Sequence, residues 1–195
     1  MKLNTYKTLA LAAIAMAVVP AFAQQVSISR DGRPERIFQP ISGVNNKDVQ
    51  FLRQAFVINL FEIQSSQLAR EKSSNPFISE YAKEMIEDHK MAQVSLKEIA
   101  MSKGVGLPTE LPKDLAHLYM HLQNLNGDMF DMAYQNAQRN GHADASRKFK
   151  SEIENGKDED AKGYAVKTLP TVEMHYRMML NKQTEMGATK MEHGN

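Results

Sequence analysis

What most constrains this chain is an apolar repeat of three to four residues, sustained from about residue 48 to residue 186 and broken only at short punctuated points. That period places apolar side chains along one stripe of a helix, whereas a strand needs alternation, and no alternation of useful length occurs. The first stripe is Phe51, Ala55, Ile58, Glu62, Ser66 and Ala69, on a helix capped by Asp48 and reaching about Lys72. The second, Ile78, Tyr81, Met85, Ala92, Leu96 and Ile99, opens at Asn75 with Pro76 in the first helical position and closes at Gly104. A third runs from about Gly127 to Asn155 through Phe130, Tyr134, Ala137, Ala145, Phe149 and Ile153. The fourth starts at Asp158 and carries Ala161, Ala165, Leu169, Val172, Tyr176 and Met179 to about Met186, with Pro170 predicting a kink or a break. Residues 104–126 are too long for a hairpin loop and hold a short helix with Leu115, Leu118, Leu122 and Leu125 on one side. Two helical hairpins joined by such a crossover predict an all-α chain, a ferritin-like four-helix bundle with a short helix in its crossover.

The flanks differ in kind. Residues 1–23 combine a lysine-bearing start, the short apolar run "TLALAAIAMAVV" and the ending "AFA", which predicts a signal peptide cleaved after Ala23 and a periplasmic destination. The run is shorter than the roughly 20 residues that span a bilayer, and no later stretch is long enough to anchor the chain in one. Residues 24–46 mix Gly, Pro and polar residues without a period and predict a mobile arm; the bundle is expected over 47–187 and a disordered tail over 188–195.

Cleavage would remove two of the 24 bases, Lys2 and Lys7, and none of the 23 acids, leaving a nearly neutral chain with no footprint for nucleic acid or anionic lipid. There is no cysteine, which excludes disulfides, zinc fingers, iron–sulfur clusters and thiol nucleophiles. No nucleophile–base set and no glycine-rich phosphate loop occurs, so a non-enzymatic role is expected. A monomer or weak dimer is expected, with no nucleic-acid partner.

The informative residues are the polar ones on the stripes. At about 100° per residue, His89 falls in the arc of Met85, Ala92 and Leu96, with Asp88 at its edge, and Glu62 falls between Ile58 and Ser66. Counting from the hairpin turns puts Glu62, His89, His142 and His175 in one middle layer, with Asp131 and Tyr134 nearer one end. A buried layer of this kind is paired, hydrated or metal-bound. Two readings compete: a Glu62–His89 hydrogen-bonded pair, or a metal site built from Glu62, His89, His142 and His175. Carboxylate-bridged di-iron bundles need Glu-x-x-His on two helices, and the chain has none. His117 and His121 stand i, i+4 on the crossover helix, a spacing that suits a metal but also an ordinary wet face. The methionine–histidine stretches "MHYRMM" and "MEH" suit Cu(I), although methionine equally fills cores.

The stretches "FEIQSSQLA", "YAKEMIEDHK", "GDMFDMAY", "GHADA" and "KTLPTVEMHYRM" resemble the exported bacterial family known as domain of unknown function 4142, over roughly residues 45–186. The resemblance implies a ferritin-like fold and export, and it sets Glu62, Asp88, His89, Asp131, Tyr134, His142, Pro170 and His175 on the family's recurrent positions. Two functions are then expected in turn: a non-enzymatic periplasmic binding or envelope-stress protein, or a periplasmic metal-binding protein for copper or another divalent ion, using buried Glu/His or Met/His ligands.

Overall fold

The computed structural model describes residues 26–28, 34–36 and 44–192. The expected signal sequence, most of the expected arm and residues 193–195 lie outside the described residues. Within the arm, strands β1 (Val26–Ile28) and β2 (Pro34–Arg36) pair antiparallel, with Val26 opposite Arg36. The sequence reading expected no regular structure there. The stretch Val26-Ser27-Ile28 carries two β-branched residues, and Pro34 stands at a strand's first position, where it is tolerated.

The remaining elements are helices: α1 (Asn46–Lys72), α2 (Pro76–Ser102), α3 (Lys113–Asn124), α4 (Gly127–Asn155) and α5 (Glu159–Glu192). The cap of α1 is Asn45, whose side chain accepts from the Lys47 and Asp48 amides at 2.8 and 3.2 Å. Asp48, expected to be the cap, is instead fully buried in the first turn. Asn75 caps α2 by accepting from the Phe77 amide at 3.0 Å, and Pro76 follows it where the missing N–H is not needed. After α2 the chain turns at Gly104, whose φ of 62° lies in the left-handed region. Helix α5 passes through Pro170 unbroken. The proline frees the carbonyl of Val166, one turn earlier, and both residues are exposed, so water can satisfy it. The same helix continues beyond Met186 to Glu192, where a tail was expected, because "QTEMGATKME" contains good helix formers and one glycine but no stop signal.

Hydrogen bonds at the two ends fix the topology. At the end where α1 begins, Asp48 accepts from the Lys157 and Asp158 amides, and Lys103 at the end of α2 pairs with Asp158. At the opposite end, Lys72 donates to the carbonyls of Gln123 and Leu125, just before α4 starts. The crossover containing α3 therefore carries the chain from one end of the bundle to the other. Thus α1 runs antiparallel to both α2 and α4, the connectivity of a ferritin-like four-helix bundle.

Two apolar clusters fill the interior. One, toward the α1 N-terminus, includes Phe51, Leu52, Leu96, Phe149 and Tyr164; the other, toward the crossover's end, includes Phe61, Ile78, Met85, Phe130 and Met179. Between them lies a polar layer of Asn59, Glu62, His89, Gln138, His142 and His175, all buried.

Candidate metal centre

Three helices each send one imidazole into this layer: His89 from α2, His142 from α4 and His175 from α5. Their ring centroids are 5.3–5.7 Å apart. One nitrogen of each lies within 4.8 Å of one nitrogen of each of the others.

Each ring is oriented by an oxygen behind it. The Asn59 amide nitrogen donates to the Tyr164 hydroxyl at 3.1 Å, so its Oδ1 is the acceptor for His89 Nδ1–H at 2.8 Å. His142 Nδ1–H donates to the Gln138 carbonyl at 2.8 Å. His175 Nε2–H donates to Asp88 Oδ2 at 3.0 Å, and the Asp88 side chain reaches solvent at 26% exposure. These three bonds fix the tautomers. What remains is His89 Nε2, His142 Nε2 and His175 Nδ1, all buried and without a partner.

Protonation follows from burial. Burial holds the His89 imidazole well below its ordinary range, and the neighbouring His142 and His175 lower it further. Burial brings His142 down to about 3, helped by His175 and opposed by the Gln138 carbonyl, and brings His175 down to about 4. All three are neutral at neutral pH, so each inward nitrogen carries a lone pair. Three converging lone pairs with no proton between them repel one another and are what a transition-metal ion accepts.

Glu62 lies beside this triad. Its Oε1 is 3.9 Å from His142 Nδ1, its Oε2 has no partner, and burial raises its carboxyl to about 8 against the pull of a Gln138 side-chain hydrogen bond. The expected Glu62–His89 pair does not form, because His89 Nδ1 is taken by Asn59. Asp88 stands behind His175, and Glu84 is close enough to complete a second group with both. Asp131 has a buried Oδ1 without a partner, and Tyr134 bonds Ser66 across to α1 at 2.8 Å. Neither belongs to the histidine cluster. His117 and His121 are exposed on α3, as a wet face requires. In the "MHYRMM" stretch, Met179 is core filler; His193 of "MEH" lies outside the described residues. The sequence reading missed Asn59 and the Gln138 carbonyl. Asn59 stands one turn before Glu62 on the buried side of α1, a signal that was available.

A family model, the domain of unknown function DUF4142, matches residues 38–181. In three dimensions the chain is similar to a DUF305 fragment from Deinococcus radiodurans, with a TM-score of 0.65, 11% identity, and coverage of 73% of this chain and 98% of that one. It is also similar to a DUF305 protein from Streptomyces coelicolor, with a TM-score of 0.61, 14% identity, and coverage of 72% and 94%. At such identities the likeness is one of fold. No curated protein matches the sequence.

Proposed function

Because the chain belongs to the DUF4142 family, which supplies a fold but no chemistry, we propose from the site itself that it is an exported, non-enzymatic protein that binds a divalent transition-metal ion. His89, His142 and His175 are the ligands, and the carrying observation is that each keeps one buried, unpartnered nitrogen while its other nitrogen is held by an oxygen. Metal-ligating histidines are supported in this way from behind, and three imidazoles suit zinc, copper or nickel. Ligation at about 2.0–2.1 Å brings such nitrogens to roughly 3.4 Å from one another, so loading tightens the triad. Asp88 raises the basicity of His175, and Glu62 offers negative charge close to His142 once the ion is bound.

Export is supported by the leader pattern of residues 1–23 and by the Streptomyces neighbour, which is described as secreted. Among the described residues no helix is long and apolar enough to cross a membrane.

The test is thermal melting of the purified protein after chelation and after adding Zn(II) or Cu(II). The ion should raise Tm by an amount set by its free concentration over Kd, and His142→Ala should abolish that rise. An equal rise in wild type and variant would refute the site.

A further inference from the structure

A groove of about 770 Å³ runs along the seam between α1 and α4, with crossover residues Pro108, Pro112, Leu115 and Leu118 along one side. Its size lies in the range of small-molecule sites, roughly 300–1,000 Å³. Because α1 and α4 are antiparallel, the lining is graded along the groove. Arg53 of α1 and Lys148 of α4 share one end; Phe61 and Glu62 of α1 stand level with Gly141 midway, and Ala133 of α4 lies toward the other end. From Ala133 to Lys148 the helix covers about 22 Å at about 1.5 Å per residue, long enough for an extended acyl chain.

The charged end carries Arg53 and Lys148 against one acid, Asp144, which bonds Lys148. The surplus is a single positive charge. Arg53 is anchored by its Nε–H donating to the Gly106 carbonyl at 2.9 Å, which leaves its two Nη groups to hold a carboxylate. Midway, the wall is Gly141. A Cβ there would come within 3.3 Å of Glu62 Oε1, so glycine lets a ligand lie close to the α4 backbone and across the Glu62 carboxyl.

We propose that this groove binds a long-chain fatty acid, with its carboxylate on Arg53 and Lys148 and its acyl chain running between Phe61 and Gly141 toward Leu118 and Ala133. One negative charge meets one surplus positive charge, and the apolar walls begin where the head group ends. The groove meets the histidine layer only at Glu62, and none of the three histidines lines it.

The experiment is fluorescence titration of purified, delipidated protein with cis-parinaric acid, followed by displacement with palmitate and with its methyl ester. Saturable one-to-one binding is expected, with palmitate displacing the probe. Arg53→Gln with Lys148→Gln should weaken palmitate about tenfold or more and leave the ester unchanged. Leu118→Trp, at a partly buried position of α3 that lines the groove, should weaken both, and circular dichroism melts verify that each variant is folded. No saturable binding, or binding indifferent to all three substitutions, would overturn the proposal. So would a groove that binds no fatty acid but whose Leu118→Trp variant changes oligomeric size, which would make it a contact with a second copy.

Discussion

Asp48 and the histidine triad are both buried polar sites in one bundle, but their polar atoms are treated in opposite ways. Asp48 accepts from Asn45 Nδ2 at 2.9 Å and from the Lys157 and Asp158 amides at 3.1 and 2.9 Å, and Asp158 in turn accepts from the Ala161 amide and pairs with Lys103. In the middle layer, Glu62 Oε2, His89 Nε2, His142 Nε2 and His175 Nδ1 have no partner. A buried polar group that is satisfied holds chain segments together; one left unsatisfied at a point of convergence is a receptor. The first cluster fastens the start of α1 to the turn before α5. The second is prepared for something to arrive.

The contrast should show most strongly in stability. Asp48→Ala strands two backbone N–H groups and the half-buried Asn45 amide, and it should cost about 3 kcal/mol in urea unfolding. His142→Leu leaves the Gln138 carbonyl its helical bond, so without metal it should stay within about 1 kcal/mol of wild type. If His142→Leu proves the more damaging, the triad is a structural element and the contrast fails. A smaller effect is expected behind the ligands. Asp88→Asn should weaken metal binding about 10- to 100-fold and barely move metal-free stability, because Asp88 is partly exposed. Isothermal titration of zinc into both proteins measures this, and equal affinities would remove Asp88 from the site.

A separate effect is one of pH on the metal-free protein. Folded His142 and His175 take up protons only near 3 and 4, while the unfolded imidazoles do so near 6.5, so the stability they contribute is lost as pH falls through that window. Glu62 acts in the other sense. Its folded carboxyl keeps a proton to about 8 while the unfolded one releases it near 4.5, so its contribution is present at low pH and lost as pH rises through that range. Tm should therefore climb to about pH 6.5 and decline toward pH 8. Glu62→Gln should flatten the decline and leave the climb; a decline of undiminished depth in the variant would assign it to other groups, Glu152 first among them, since burial raises it to about 7.

The helices were legible because their ends are written locally: Asn75 with Pro76, Gly104 and Gly156 are stop and start signals that need no distant partner. The middle layer was legible too, since counting residues from each turn put Glu62, His89, His142 and His175 at one level. What counting could not give was the partner of each side chain. His89 turns to Asn59 rather than to Glu62, and angular position on a stripe does not separate neighbours a few ångströms apart. Asp48 reads as an ordinary cap because its real partners stand 109 and 110 positions along the chain, beyond any local pattern. The groove was illegible for the same reason, since its two walls come from opposite hairpins.

The triad draws His89 from the first hairpin and His142 and His175 from the second, successive members standing 53 and 33 positions apart. Neither hairpin alone holds three ligands. Each can form from local contacts, but the full site comes into being only when the two dock, so an ion gripped by all three rings would act as a rivet across the joint. Its escape would then be timed by the parting of the hairpins, and loading would slow hydrogen exchange in α2, α4 and α5 together even where no residue touches the metal.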